Sequence, residues 1–449
     1  MLATPIWTGR ILTHRQLGLF LIALVLVVPV IVDLMNGFLK MELRVDVSVG
    51  IIYRTGILII STPFFFTSGQ NRFKLYVLMI LLLWGISAIV WTFSSEDHIF
   101  SMLQWEVREI SRIIMPFIMV VLLWELAVKF DIGIEDMIRH ISWFGFIAGG
   151  AIIFSFVTGF GMMTYYDGQE WDGGFGMKSY FIAQNDISIA VLISLVMSLY
   201  RVFTKMTLGN IIMVMTTLAG LILLTTRTAL AGSLLITFVF VLSAIFFKKK
   251  DIPMRRFSRL MLIGVGVGLL VWGITVLIDI ITQYSFLVTK FESLIAHSPR
   301  ELMVQAAKNR IADRAWLLNI FGESNYYFLQ HINFEVIKTY PKAFAGVGKH
   351  VERDFYDFVG AYGIILGMLL LLLPVLFWVK MVFSFLQKRT FLNFTFLVAI
   401  TLFLGHSVFA GHALNSPTVA SVVALVYLYI YQYRFFTDSH RQTSQDPSV

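Results

Sequence analysis

Long apolar runs separated by short polar segments dominate the chain. A helix needs about 20 apolar residues to cross the hydrocarbon core of a bilayer, and the pattern predicts about twelve such helices. Their expected bounds are 17–35, 48–67, 75–93, 111–128, 141–159, 183–200, 208–225, 229–247, 260–282, 358–379, 392–410 and 417–433. The expected fold is all-α and polytopic, because strands of outer-membrane barrels are only about 10 residues long and alternate in polarity.

Composition excludes several other classes. Hydrophobic residues make up 58% of the 449 residues and charged residues only 14%, which is incompatible with an ordinary soluble enzyme. The net charge of +8 indicates Lys and Arg held on the cytoplasmic face of a membrane protein rather than binding to nucleic acid. The chain has no cysteine, so disulfides, cysteine zinc sites and a thiol nucleophile are excluded.

Basic residues concentrate in alternate loops. The loops that share a side with the N-terminus carry Arg72, Lys74, Arg201, Lys205, the basic run within 248–259, Lys388 and Arg389. Positively charged loops stay in the cytoplasm, so we expect both termini there and the opposite loops in the periplasm. This is the pattern of a multi-pass protein of the bacterial inner membrane, with its first helix kept as an anchor.

The longest polar segment, 283–357, lies between the ninth and tenth predicted helices on the periplasmic side. Its motif Ser298-Pro299-Arg300-Glu301 is a capping box with proline at the first helical position, which predicts a helix from about 299 to the residue before Gly322. A further short helix is expected over 331–339. The chain then divides into transmembrane helices over 1–282, a periplasmic helical loop over 283–357, transmembrane helices over 358–433 and a cytoplasmic tail over 434–449.

Arginines near the outer membrane surface are candidates for binding an anion. Arg227 lies in a short outward turn, where it either binds phosphate or extends to lipid headgroups. Arg300, Arg310 and Arg314 fall within an arc of about 80° on a regular helix. They form either an anion-binding face or a solvated basic face paired with neighbouring acids.

Two further arginines and two histidines are weaker candidates for a function. Arg54 and Arg112 lie near the ends of the second and fourth predicted helices, where extension to the headgroups or an internal ion pair is the favoured interpretation. His406 and His412 flank the last outward turn and are more typical of hydrogen-bonded helix ends than of ligands.

Three carboxylates, Glu352, Asp354 and Asp357, stand where the long loop returns to the membrane. Burial there would raise the pKa of a carboxylate and make it usable as a general base. The alternative is a helix N-terminus whose dipole favours acidic residues. His350 alternates with Glu352 and Asp354 in a spacing that suits no helical metal site, and we expect no bound metal.

Several short motifs occur together and on one side of the membrane. They are Thr226-Arg227-Thr228-Ala229-Leu230-Ala231-Gly232, Arg314-Ala315-Trp316, Gly346-Val347-Gly348, Glu352 to Asp357, Tyr362-Gly363-Ile364-Ile365-Leu366-Gly367, and Asn185 after a glycine-rich outward loop. In this order and with this topology, the chain resembles the O-antigen ligase and O-antigen polymerase superfamily of bacterial envelope glycosyltransferases. Ligases of the family typically carry a His-Asn pair eleven residues before the glycine at 363, and this chain has Glu352 there. The resemblance therefore favours the polymerase branch.

What the resemblance implies is the polymerisation of polyprenyl-pyrophosphate-linked repeat units into O-antigen, capsule or exopolysaccharide. The transfer would invert the anomeric centre and need no metal or other cofactor. The implied roles are pyrophosphate binding for Arg227, Arg310 and Arg314, catalysis for Glu352, Asp354 and Asp357, and substrate binding for Asn185, Arg300 and His350.

The implied partners are the lipid-linked glycan donor, a glycan acceptor, membrane lipids, a chain-length regulator and a flippase, without nucleic acid. Aromatic residues of another outward loop either stack on sugar rings or anchor the chain at the membrane interface; they are Tyr165, Tyr166, Trp171 and Phe175. Two other functions stay open. One is a ligase that passes the glycan to lipid A core, and the other is a secondary transporter.

Overall fold

The computed structural model describes residues 13–45, 47–94, 99–165, 175–247, 299–339 and 350–432, together with residue 252 and single positions between 260 and 278. The helices before the long loop are α1 (His14–Leu26), α2 (Val28–Met41), α3 (Val49–Thr67), α4 (Asn71–Ser94), α5 (Ile99–Phe130), α6 (Ile134–Thr158), α7 (Gln184–Thr204), α8 (Leu208–Leu224) and α9 (Arg227–Phe246). The loop contains α10 (Pro299–Asp313), α11 (Trp316–Phe321) and α12 (Asn325–Thr339), and α13 (Asp354–Gln387), α14 (Phe391–Phe409) and α15 (Pro417–Tyr431) follow.

The architecture is that of a helical multi-pass membrane protein. In the described ranges, eight helices are long and apolar enough to cross a bilayer, namely α3, α4, α5, α6, α7, α9, α13 and α14. The bent pair α1 and α2 is a ninth candidate span, and α8 and α15 are shorter apolar helices. The described positions between 260 and 278 are helical, but most of the predicted span 260–282 and the tail 434–449 lie outside the described residues. The number of twelve spans stays a prediction.

One small sheet departs from the all-α expectation. Strands β1 (Met162–Tyr165) and β2 (Phe175–Ser179) form an antiparallel pair between α6 and α7. The sequence pattern predicts only a loop here, because strands of four and five residues are at the lower limit of the length over which alternation is recognised. The aromatic side chains predicted for this loop lie outside the part of the structure whose side chains are described.

The first predicted span, 17–35, is two helices bent by 43°. The break falls at Val27, and Pro29 stands in the first turn of α2. Proline has no amide hydrogen to donate to the preceding turn, so the helical ladder is interrupted there. The bend gives α2 its own direction, and α2 carries Asp33, Asn36 and Lys40.

The fourth predicted span, 111–128, is too short. Helix α5 begins at Ile99, so most of the expected outward loop before it is helical. The charged residues Glu106 and Glu109 mimic a span boundary in the sequence, but both are buried against the rest of the bundle. Tertiary contacts thus extend this helix beyond its apolar part.

The helices of the long loop follow the predicted order. Helix α10 begins at Pro299, as predicted, but the chain breaks after Asp313 before α11 runs to Phe321. Helix α12 begins at Asn325, before the expected 331–339 segment. Helix α13 begins at Asp354 and is kinked at Gly363, whose φ is 73°.

The most buried spans are α7 and α5, and α15 is buried along nearly its whole length. Helices α6 and α8 pack with direct backbone contact around two glycines. A Cβ added to Gly220 would lie 2.5 Å from Gly149 Cα, and one added to Gly149 would lie 2.5 Å from the Thr216 carbonyl oxygen. Small residues are typical of such close helix contacts within membranes.

We predict that Gly149→Ala lowers the thermal unfolding midpoint of the detergent-solubilised protein. The new methyl group meets backbone atoms that cannot rotate away, and overpacking of this kind costs about 1–3 kcal/mol. Gly150→Ala is the matched control, because its Cβ would find its nearest neighbour at 4.0 Å. Equal midpoints for the two variants would contradict this packing.

Candidate functional site

A polar cavity of about 400 Å³ opens among the helix ends that the charge pattern places on the periplasmic side. Its walls come from α2, α3, α5, the start of α7, the segment before α13 and the connection between α14 and α15. The polar and charged residues that line it are Asp33, Asn36, Lys40, Ser48, Arg54, Arg108, Arg112, Asp186, His350, His412, Asn415 and Thr418. A concave site with convergent polar groups is the usual form of a ligand-binding site.

Cations dominate the lining. Four cationic side chains and two carboxylates face the cavity, so positive charge is in excess even when both histidines are neutral. The guanidinium groups of Arg54, Arg108 and Arg112 lie close enough to repel one another. Such a cluster is favourable only beside anions, and it suits a ligand with several phosphate oxygens.

Arg112 is held in place by a carboxylate behind the cavity wall. Its Nη1 lies 2.5 Å from Oε1 of Glu109, one turn earlier on α5, and Glu109 is 1% exposed. The Nε of Arg112 is buried and has no hydrogen-bond partner among the described residues. Arg108 instead lies over the Trp105 ring, with its guanidinium carbon 5.4 Å from the ring centroid. The two arginines are therefore positioned by different contacts.

His350 lies in the cavity wall beside the carboxylate of Asp357. Its Nδ1 lies 3.7 Å from Oδ1 of Asp357, and the same oxygen accepts a hydrogen bond of 2.9 Å from the Val351 amide. Burial lowers the pKa of His350, but the Asp357 carboxylate outweighs it, so the net pKa is raised above the ordinary value. With Nδ1 facing Asp357, Nε2 is the nitrogen that remains to exchange a proton with a ligand.

The turn after α14 places His412 next to His350. The imidazoles of His350 and His412 meet edge to face, with centroids 4.7 Å apart. Asp354 accepts hydrogen bonds from the Ser407 hydroxyl at 2.6 Å and from the His412 amide. Gly411 has a φ of 66°, and a Cβ there would lie 2.4 Å from the Glu352 carbonyl carbon. The turn after α14 therefore packs directly on the segment that carries His350.

The structure brings together only some of the nine residues predicted from sequence. His350 lines the cavity, and Asp354 and Asp357 support the two histidines from behind. Asn185 adjoins the lining residue Asp186 without lining the cavity itself, and Glu352 is likewise outside the lining. Glu352 adopts a positive φ of 61° where the chain passes Gly411.

The predicted pyrophosphate arginines do not line this cavity. Arg310 Nε donates to both oxygens of Glu323 at 3.0 Å. Arg314 is buried and donates to the carbonyl oxygens of Gly360 at 2.5 Å and Val359 at 3.1 Å. The Arg314 contacts join the long loop to α13, and the Arg310 contact lies within the loop. Both side chains therefore have structural partners, and their binding of pyrophosphate stays a prediction.

Arg227 is the first residue of α9, next to Thr226, whose hydroxyl caps that helix and contacts Ser188 Oγ at 2.7 Å. It too is absent from the cavity lining. The side chain of Arg300 lies outside the described residues, and so do Gly346, Val347 and Gly348. For these positions the expected roles stay predictions.

Sequence reasoning missed most of the cavity. The sequence pattern favours headgroup contacts or an internal pair for Arg54 and Arg112 and a helix end for His412, and it predicts no role for Asp33, Arg108 or Asp186. The signal that could have found them is positional. Each stands within about two helical turns of the outward end of a predicted span, where a charge is costly unless it has a partner or a function.

The comparison with known families agrees with this architecture. The model of the O-antigen ligase like membrane proteins matches residues 15–325 and 336–433. The chain therefore belongs to this family, as its motifs indicate, and the family supports a membrane enzyme of the glycosyltransferase type that processes envelope glycans. No curated protein matches the sequence.

We predict that Glu323→Gln lowers the unfolding midpoint, because it leaves Arg310 and the buried Arg314 without their shared carboxylate. Removing one partner of a buried ion pair costs about 3–5 kcal/mol. The control is Glu301→Gln, which removes an exposed pair with Arg353 at 3.3 Å and should cost at most about 1 kcal/mol. Circular dichroism melts in detergent measure both.

The Glu323 carboxylate should also make the stability of the fold sensitive to acid. Burial raises the pKa of Glu323, but hydrogen bonds from His331 and Arg310 outweigh it and lower the net pKa. A depressed folded-state pKa stabilises the protein above the unfolded pKa, and this stability is lost as the pH falls through the folded value. Glu323→Gln should therefore show a smaller loss of stability on acidification than wild type.

Proposed function

We propose that the cavity transfers a glycan from a polyprenyl-diphosphate carrier to a sugar hydroxyl of an acceptor. The observation that carries the proposal is the juxtaposition of three arginines, Arg54, Arg108 and Arg112, with His350 in one cavity. A diphosphate leaving group and a hydroxyl nucleophile need these two kinds of group: fixed positive charge and a proton acceptor.

The arginines act on the leaving group. As the bond between the anomeric carbon and the phosphate oxygen breaks, its electron pair and the negative charge move onto the polyprenyl diphosphate. Guanidinium groups bind phosphate oxygens bidentately and stay charged at any physiological pH. Arg112 is preorganised by Glu109, so its favourable interaction with the developing charge requires little rearrangement.

His350 acts on the nucleophile. Its neutral imidazole takes the proton of the acceptor hydroxyl at Nε2 while the oxygen attacks the anomeric carbon from the face opposite the diphosphate. Asp357 orients the ring through Nδ1 and stabilises the imidazolium that forms. One displacement inverts the anomeric centre and needs neither a nucleotide donor nor a metal.

We propose that the acceptor is a second lipid-linked repeat unit, so that the enzyme is a polysaccharide polymerase of the inner membrane with its site in the periplasm. The acidic segment from Glu352 to Asp357 supports this branch. The ligase is the second candidate function. It is favoured by a specific observation, since His350 rather than Glu352 lines the cavity, and a histidine is the base expected of the ligase branch.

The test is the glycan profile of a deletion strain that carries wild type, Arg112→Ala, His350→Ala or Arg227→Ala. We expect Arg112→Ala and His350→Ala to lose function, with transfer at least about 100-fold slower, as when a transition-state donor is removed. Arg227→Ala tests the pyrophosphate-binding role predicted from the sequence for an arginine that does not line the cavity. Arg15→Ala, which breaks only an exposed pair with Asp136, is the matched control.

Surface glycans and carrier-linked intermediates are resolved separately on gels. A collapse of the ladder to one repeat unit on the acceptor identifies a polymerase. Long chains that accumulate on the carrier while the acceptor stays bare identify a ligase. An unchanged profile in the Arg112 and His350 variants would overturn the proposed site and reopen the transporter alternative.

A pH prediction follows from His350. The ring must be neutral to accept a proton, so the transfer rate should rise as the pH increases through its raised pKa. The carboxylates of Asp357 and Glu109 raise this pKa, and the Arg112 guanidinium lowers it. The His412 ring also faces His350. Asp357→Asn removes the strongest raising interaction, so the rising limb should move to lower pH while the maximal rate falls. A limb that does not move would exclude His350 as the base.

A further inference from the structure

The arginines and His350 account for only part of the cavity. Four other polar lining residues are acceptors of hydrogen bonds: the carboxylates of Asp33 and Asp186 and the amide oxygens of Asn36 and Asn415. The two carboxylates line the same cavity and repel one another electrostatically. They reach the cavity from α2 and from the first turn of α7, which are far apart in sequence.

One helix end fixes both carboxylates. The hydroxyl of Thr418 donates to Oδ2 of Asp33, and Ser416 donates to Asp186. Ser416 is also the N-cap of α15 and accepts the Val419 amide. A carboxylate can accept about four hydrogen bonds, so one contact to a hydroxyl positions each group and leaves it able to accept more from a ligand.

These carboxylates border the groups of the proposed reaction. Asp33 interacts with Arg54, and Asp186 interacts with both Arg112 and His350. Carboxyl and amide oxygens offer a diphosphate no positive charge, so this wall does not serve the leaving group. It suits a neutral ligand rich in hydroxyl donors, which is the chemistry of a sugar ring.

We propose that Asp33 and Asp186, with Asn36 and Asn415, form a subsite for the sugar ring of the glycan acceptor. The inference rests on the proposed function and deepens it. The residues are positioning residues: they accept hydrogen bonds from ring hydroxyls and hold the reacting hydroxyl in front of His350. Each carboxyl group has two oxygens that can accept hydrogen bonds from ring hydroxyls, so the two carboxyl groups set most of the affinity.

The test measures two dissociation constants with the purified full chain in detergent. One probe is inorganic diphosphate. The other is the repeat-unit oligosaccharide released by mild acid from the carrier lipid of the deletion strain. We expect Asp33→Asn and Asp186→Asn to raise the Kd for the oligosaccharide about 10-fold or more, while diphosphate binds equally well or more tightly. Arg112→Ala should show the opposite pattern.

Asp136→Asn, whose partner Arg15 lies on the predicted cytoplasmic side, is the matched control and should change neither constant. Thr418→Val is a second variant that keeps both carboxylates and removes only the hydroxyl on Asp33. It should raise the oligosaccharide Kd several-fold, so the test holds even if an aspartate variant unfolds. The unfolding midpoint of each variant without ligand reports its folding.

An oligosaccharide Kd that is unchanged in the folded aspartate and Thr418 variants overturns the sugar subsite and leaves the proposed transfer standing. Loss of diphosphate binding in Asp33→Asn or Asp186→Asn also overturns it, because it would place the leaving group at this wall. Failure of wild type to bind diphosphate is a different result: it removes the donor site of the proposed function itself.

Discussion

Three guanidinium groups that share one cavity repel one another, and carboxylates from the surrounding helices offset this repulsion. Glu109 binds Arg112 from within α5, Asp33 faces Arg54 from α2, and Asp186 faces Arg112 from α7. At the edge of a membrane such charges are costly without partners. The outward ends of at least three helices must therefore converge, and a charged ligand would complete the balance.

The long loop contributes in a different way. Its helices carry their own charged cluster, in which Glu323 binds Arg310 and Arg314 donates to the backbone of α13. Glu106 of α5 accepts the Tyr326 amide of α12 at 3.0 Å. The loop is thus fastened at two points, to α5, which lines the cavity, and to α13, which follows the lining segment at His350. Through α13 it fixes Asp354 and Asp357, which hold the two histidines.

Asp354 and Asp357 take a different position from Glu352 for a geometric reason. At the start of α13, Asp354 and Asp357 lie in one helical turn and are both buried, so they face the bundle together. Glu352 precedes the helix in a left-handed conformation beside Gly411. Counting residues along the chain aligns Glu352 with the base of the ligases, whereas folding brings His350 to the cavity wall.

The sequence alone determined the family, the helical membrane-spanning class, the start of the helix at Pro299 and the side on which the chemistry is expected. These depend on apolar length, on the distribution of positive charge and on local motifs, which are properties of contiguous segments. It could not determine that α5 extends through Glu106 and Glu109, that the first span is bent, or that Arg54, Arg112 and Asp186 share a cavity. Those features depend on which helix ends meet in space. Only the tertiary structure decides whether a charged residue near a span end faces lipid headgroups, a buried partner or a ligand.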